Sequence, residues 1–194
     1  LMRSSAASDV YKRQYFHRAL LPYSKEINHK QYDSSLIPIS KMKKRINCFI
    51  PFGTSEDTMQ TVKELQASEL VDKIYLLGSA PGKKCLPDCE WLPIDGLYST
   101  STMKTIAAHA STDYILLYTK QTPLKLGLYA LERMVQVMEN NKKNGIVYAD
   151  RYQQIHEELK QAPVIDYQLG SVRDDFDFGS IPVSYTHLTL PTIA

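Results

Sequence analysis

Residues 45–53 have the sequence RINCFIPFG. The run from Ile46 to Phe52 is apolar apart from Asn47, and Gly53 ends it. A short apolar run closed by a chain-breaking residue is typical of a strand that is buried on both faces, as in a parallel sheet. The stretch therefore predicts an interior strand, and the residues that follow it indicate which kind of fold contains it.

A helix is predicted directly after this strand. Thr54 and Asp57 have the spacing of a capping pair, in which a side-chain oxygen accepts a hydrogen bond from a free N–H group at the helix start. Met59, Val62 and Leu65 recur every three residues and predict the buried face of the helix. A strand that leads into an amphipathic helix is typical of α/β proteins.

The same alternation continues along the chain. Further strands are predicted at residues 73–77, 91–94, 114–118 and 146–149. A second helix is predicted after a cap at Ser99, Thr100 or Ser101. A third is predicted to begin at Thr122-Pro123 and to end at Asn144-Gly145. The apolar stripe of this third helix is formed by Leu124, Leu128, Leu131, Val135 and Met138.

Apolar strands that alternate with amphipathic helices predict an α/β fold, a three-layer α/β/α sandwich with a mostly parallel sheet. In such sheets ligands bind beyond the carboxyl ends of the strands, where the strand order reverses. The predicted strand ends are residues 51–53, 78–79, 95–96, 119–121 and 150–151. A ligand site is therefore expected at this edge of the sheet.

Composition limits the classes of protein to consider. The chain has 194 residues, which is enough for one domain. It carries 23 basic and 21 acidic side chains, a net charge of +2, so no nucleic-acid-binding surface is expected. Three cysteines, at 48, 85 and 89, do not form a disulfide framework and favour a reducing compartment. No apolar run approaches the ~20 residues of a membrane span. We therefore expect a cytoplasmic protein, located in solution or at the inner face of the membrane.

Both ends of the chain resemble translated sequencing-adapter sequence. These are residues 1–14, LMRSSAASDVYKRQ, and residues 183–194, VSYTHLTLPTIA. Segments of this kind are left out of fold reasoning. The expected organisation is then an irregular lead-in at 15–44 and an incomplete α/β domain at 45–182.

Several stretches, in a fixed order, narrow the α/β class. They are INCFIPF at 46–52, TDYILLYT at 112–119, the helix and VYAD strand within 131–150, IDYQ at 165–168 and SVRDDFDFG at 171–179. Over roughly residues 45–180 the chain resembles the bacterial family 2 glycosyltransferases, which have the GT-A fold. The last of these stretches resembles one branch of that family.

The resemblance implies an inverting enzyme that transfers a sugar from a nucleoside-diphosphate sugar to a glycan or glycoconjugate. Pro51 and Phe52 would lie under the nucleotide base. Other candidates for the donor site are Asp95, Lys104, Thr119, Lys120 and Gln121. In the acidic string that follows, Asp174 and Asp175 are the candidate catalytic carboxylates, and Arg173 and Asp177 the candidate contacts to the acceptor or sugar.

Two positions depart from the family pattern. The family's metal-binding Asp-x-Asp falls at Thr119-Lys120-Gln121, which has no carboxylate. A divalent cation, Mn²⁺ or Mg²⁺, prefers carboxylate oxygens. Three explanations remain open: Lys120 replaces the metal, Asp95 and Asp150 hold it, or donor transfer is lost. The second departure is Gly78, where relatives often carry an Asp.

Each candidate also has a structural interpretation. Asp95 is equally well explained by an Asp-Gly turn, Asp150 by a surface ion pair, and Lys104 by an exposed helix face, which is favoured. Two other functions remain: a non-catalytic GT-A-like domain of a longer protein, and, with less support, a nucleotidyltransferase. The latter usually has a Gly-rich loop after the first strand, which residues 51–55 match poorly.

Overall fold

The computed structural model describes residues 14–15, 45–79, 86–140, 144–155, 158–165 and 176–186. The strands are β1 (Gln14–Tyr15), β2 (Ile46–Pro51), β3 (Val71–Gly78), β4 (Cys89–Pro93), β5 (Tyr114–Leu117), β6 (Ile146–Val147), β7 (Asp150–Ile155), β8 (Glu158–Ala162) and β9 (Val183–Tyr185). The helices are α1 (Ser55–Gln66), α2 (Thr100–His109) and α3 (Ala130–Asn140).

Six strands form the main sheet in the order β4-β3-β2-β5-β9-β6. β2 pairs in parallel with β3 and β5, and β3 with β4, whereas β9 runs antiparallel to β5 and β6. The chain moves outward from β2 to β4 and then returns to place β5 on the other side of β2. The strand order therefore reverses between β2 and β5, and the predicted mostly parallel sheet is confirmed.

Helices cover both faces of this sheet. α1 and α3 pack on one face, where Val62, Leu65 and Met134 join Ile46 and the other buried residues of the larger core. α2 packs on the opposite face, where Ile106 meets Phe49, Tyr75 and Leu77. The result is a three-layer α/β/α arrangement.

The predicted helix caps are present. Thr54 is the N-cap of α1, and its hydroxyl accepts from the Asp57 N–H. Ser99 is the N-cap of α2 and accepts from the Thr102 N–H. The prediction that Met59 lies on the buried face of α1 was wrong, since Met59 is 40% exposed while Thr58 and Thr61 are buried.

The prediction of a helix from Pro123 was also wrong, because α3 begins at Ala130. The Leu124 N–H donates to Thr61 Oγ1 (3.0 Å) and the Leu126 N–H to Glu64 Oε1 (2.9 Å), so side chains of α1 bind the N–H groups of this segment in an extended path. Leu124 is buried, whereas Leu128 is 84% exposed.

Two further features were not predicted. β7 and β8 form an antiparallel hairpin, and with β1 they make a second, three-stranded sheet in which Gln14 pairs with Arg151. β9 lies within residues 183–194, which sequence reasoning left out of the fold, yet Val183 is completely buried in the larger core.

In the described part of the chain no helix is long and apolar enough to cross a membrane.

Candidate functional site

The carboxyl ends of β2, β3 and β5 meet at one edge of the sheet. The Phe52 N–H donates to the Leu77 carbonyl (2.8 Å), and Gln121 Nε2 donates to the Phe52 carbonyl (3.0 Å). A Cβ added to Gly53 would lie 2.7 Å from the Gln121 carbonyl oxygen. The loops after β2 and β5 are therefore in direct contact, which only a residue without a side chain at 53 permits.

An aromatic pair, Phe52 and Trp91, covers the end of β3. We call these two side chains the aromatic shelf. Their ring centroids are 5.3 Å apart in an edge-to-face arrangement. A Cβ on Gly78 would come within 2.6 Å of the Trp91 ring. The indole thus occupies the space that a side chain at residue 78 would need.

A pocket of about 150 Å³ lies between the end of β4 and the start of α2, and we call it the β4–α2 pocket. Its lining is formed by Ser79, Pro93, Ile94, Asp95, Ser101, Thr102 and Thr105. Asp95 is exposed and accepts a long hydrogen bond from Ser101 Oγ (3.4 Å). Pocket hydroxyls and a carboxylate therefore lie beside the amino end of α2, where the Thr102 N–H is already bound by Ser99 Oγ.

Lys104 does not line the β4–α2 pocket. It lies on the exposed face of α2, as the structural interpretation of this residue predicted. The polar side chains of the pocket are instead the hydroxyls of Ser79, Ser101, Thr102 and Thr105, together with the Asp95 carboxylate.

The end of β5 is tied to residues 176–180, which we call the 176–180 segment. The Thr119 N–H donates to the Ser180 carbonyl (2.9 Å), and Thr119 Oγ1 donates to the Gly179 carbonyl (3.2 Å). Gly179 has a φ of +80°. A Cβ added to it would lie 3.0 Å from the Ala149 carbonyl oxygen. This close approach places the segment against the ends of both β5 and β6.

Asp177 in this segment is held in a charged pair. Its Oδ2 accepts from Arg151 Nη2 (2.8 Å) and its Oδ1 from the Gly179 N–H (2.8 Å). Partial burial by itself would raise the pKa of Asp177, but the charge and hydrogen bond of Arg151, the Gly179 N–H and the charge of Lys120 together lower it below its ordinary value. Asp177 is therefore ionised at neutral pH, close to Lys120.

Aromatic side chains flank Asp177 on both sides. Phe176 and Phe178 pack on each other (centroids 4.6 Å apart) and edge-on against Tyr148, and both are half-buried. Residues 176–179 form an irregular segment. Apolar ring faces beside an ionised carboxylate are chemically suited to a sugar, which has both C–H and hydroxyl groups.

The predicted residues thus fall into two groups along the same edge. Pro51, Phe52, Thr119, Lys120, Gln121 and Asp177 lie near the ends of β2 and β5, and Asp95 lies at the end of β4. β4 and β5 are three strand spacings apart, about 14 Å. Asp150 begins β7, and its Oδ1 accepts from the Val164 N–H (2.8 Å). Arg173, Asp174 and Asp175 lie outside the described residues.

Sequence reasoning missed several polar residues at this edge. Ser79, Thr102 and Thr105 line the β4–α2 pocket, and Arg151 holds Asp177. Ser79 and Thr102 could have been found from the predicted strand end at 78–79 and the hydroxyl-rich cap at 99–102, and Thr105 lies one helical turn beyond Ser101. The Arg151–Asp177 pair has no local signal, because 26 residues separate its members.

Within the described ranges no three His, Cys, Asp or Glu residues are grouped so that they could hold a metal ion. No protein-family model, curated protein or solved structure matches the chain.

Proposed function

We propose that the protein is a glycosyltransferase that binds a nucleoside-diphosphate sugar along the carboxyl edge of the main sheet and acts with inversion. The observation that carries this proposal is the position of the aromatic shelf, whose Phe52 follows β2 at the reversal of strand order between β2 and β5. Open α/β sheets bind nucleotides at this location. The β4–α2 pocket lies along the same edge, after β4.

The edge offers different chemistry for each part of such a donor. The aromatic shelf is half-buried and presents apolar surface suited to a base, with Pro51 buried at the end of β2. The hydroxyls of the β4–α2 pocket, with Asp95, suit a ribose. Lys120 lies at the end of β5 for the diphosphate, and Asp177 with its flanking rings suits the transferred sugar or the acceptor.

Transfer would proceed by direct displacement. Asp174 or Asp175 would remove the proton from an acceptor hydroxyl, whose oxygen attacks the anomeric carbon as the bond to the diphosphate breaks. Catalysis of this kind depends on alignment of the two reactants and on stabilisation of the leaving group's charge. A glycan or glycoconjugate acceptor and a cytoplasmic or inner-membrane-face location belong to the same proposal.

A non-catalytic nucleotide-sugar-binding domain is the second candidate. The feature that favours it is the Thr119-Lys120-Gln121 string, in which Thr119 and Gln121 use side-chain donors to bind the Gly179 and Phe52 carbonyls. A nucleotidyltransferase has less support, because the loop after β2 is closed by the contact between Gly53 and Gln121 and offers no Gly-rich cradle.

The first experiment is the thermal shift of the full chain with UDP, GDP and CDP. A ligand that binds only the folded state raises the melting temperature by mass action. We expect one of the three to raise it by several degrees, and Asp95→Asn to reduce the shift. Asp72→Asn is the matched control, because Asp72 lies near the start of β3, at the opposite edge of the sheet.

The outcomes separate the candidates. The enzyme is supported if the protein binds one of these nucleotides and also transfers or hydrolyses the sugar of the corresponding nucleotide sugar. This turnover is measured as release of the nucleoside diphosphate. Binding without any turnover favours the non-catalytic domain. A folded chain that binds none of the three nucleotides contradicts the donor site.

A further inference from the structure

We propose that Lys120 provides the positive charge that binds the donor diphosphate, in place of a divalent cation. This inference rests on the proposed function and specifies how its donor site works. The group that Lys120 binds is the diphosphate, and the binding does not require a metal ion.

Lys120 is held in place by the residues on both sides of it. It follows β5, next to β2, at the reversal of strand order. The residues on both sides of it are fixed: Thr119 binds the 176–180 segment, and Gln121 binds the Phe52 carbonyl. Lys120 is thus held between two loops at the location where this class of sheet binds ligands.

The carboxylates of Asp177 and Asp150 already have hydrogen-bond partners. Both oxygens of Asp177 accept hydrogen bonds, one from Arg151 and one from the Gly179 N–H. One oxygen of Asp150 accepts from the Val164 N–H. Mg²⁺ demands near-octahedral coordination by oxygen ligands, and a cation bound at Asp177 would also be repelled by the guanidinium 2.8 Å away. The donor set of these residues does not fit a divalent cation.

The ammonium group of Lys120 is chemically suited to bind a phosphate. An ammonium group is a compact charge with three donors and is a common ligand of phosphate groups. Lys120 is only partly exposed, so its charge is screened less than that of a surface lysine. None of the described carboxylates forms an ion pair with it at 4.0 Å or less. Among the described carboxylates, the Lys120 ammonium thus has no close ion-pair partner that would compete with a phosphate oxygen.

The test measures the binding of UDP, GDP, CDP and inorganic pyrophosphate to the full chain by calorimetry, in EDTA and in Mn²⁺. We expect the best ligand's Kd to change less than twofold between the two conditions. Lys120→Gln should weaken its binding at least tenfold, and Lys120→Arg should restore most of the loss. The matched control is Lys125→Gln, since Lys125 is an exposed lysine five residues away in the same loop, and it should leave the Kd unchanged.

Each result decides a separate point. Binding that disappears in EDTA and returns with Mn²⁺ overturns the inference but leaves the donor site standing. Metal-independent binding that Lys120→Gln does not weaken also overturns it. If neither the nucleotides nor pyrophosphate binds to the folded chain, the inference and the proposed function fail together. The corresponding nucleosides should bind wild type and Lys120→Gln equally, which separates the loss of a phosphate contact from distortion of the site.

Discussion

Gly78 illustrates how one residue shapes the candidate site. It ends β3, and an ideal Cβ there would lie 2.6 Å from two carbons of the Trp91 ring. A contact this short requires the indole to move. Because Trp91 is also paired with Phe52, movement of the indole would disturb the whole aromatic shelf. The missing side chain at residue 78 and the presence of the shelf are therefore two aspects of one packing arrangement.

We predict that Gly78→Ala lowers the free energy of unfolding by about 1–3 kcal/mol, the usual cost of overpacking. In a Trp91→Leu background the same substitution should cost less, because the ring that it strikes is gone. Urea unfolding of the four proteins in this double-mutant cycle measures the difference. The matched control is Gly96→Ala: nothing lies within 4 Å of an ideal Cβ there, so a change of more than about 0.5 kcal/mol is not expected.

Additive costs of Gly78→Ala and Trp91→Leu would contradict this explanation, because independent sites show no coupling. The nucleotide that binds best should also lose affinity in Gly78→Ala while the protein remains folded. If its affinity is unchanged, the shelf does not contact the base.

At the scale of secondary structure, the segment between β5 and α3 shows tertiary contacts overriding a local signal. Thr122-Pro123 has the sequence of a helix start, but α1 offers Thr61 and Glu64 as acceptors for the Leu124 and Leu126 N–H groups. The segment runs without helical structure as far as Gly127, turns at residues 128–129 and enters α3 at Ala130.

We predict that Thr61→Val removes hydrogen-exchange protection from the Leu124 amide, because the acceptor of this buried donor is lost. The free energy of unfolding should fall by about 1–3 kcal/mol, the typical cost of an unsatisfied buried polar group. Thr61→Ser keeps the hydroxyl and should keep the protection. A Leu124 amide that is equally protected in Thr61→Val would mean that some other contact holds the segment.

The same contrast explains which parts of the molecule could be predicted from sequence. The strands β2, β3 and β5 are indicated by short local apolar runs, and the caps at Thr54 and Ser99 by residues within one helical turn; these predictions were confirmed. The parallel sheet also predicts a ligand site at this edge, because parallel strands end at a common edge. The location of the site stays a prediction.

Features that depend on distant contacts could not be predicted. The β7–β8 hairpin carries no strong alternation of apolar and polar residues, and Asp177 is paired with Arg151 across 26 residues. Residues 166–175, which include the candidate catalytic pair Asp174 and Asp175, lie outside the described part of the chain, so their roles stay predictions.

At the scale of the whole molecule, β9 completes the main sheet. It lies between β5 and β6 and pairs with both, so it joins the part of the sheet that ends at the candidate site to the strand that leads into the β7–β8 hairpin. Val183 is fully buried in the larger core, and the Tyr185 hydroxyl donates to the Met138 carbonyl at the end of α3. Whatever the origin of residues 183–194, the described fold uses the first three of them as a strand.

We predict that a chain ending at residue 182 is destabilised by at least about 3 kcal/mol relative to a chain ending at residue 186. Full burial of a side chain such as Val183 contributes about 1.5–3 kcal/mol, and the ladder bonds to β5 and β6 add to it. Thermal and urea unfolding of both chains check this. Val183→Ala in the full chain should lower the free energy of unfolding by about 1–3 kcal/mol, whereas Ser184→Ala, at the half-buried neighbour, should change it by less than about 0.5 kcal/mol. Equal stability of the two truncated chains would show that β9 does not support the sheet, and nucleotide binding could then be studied on the shorter chain.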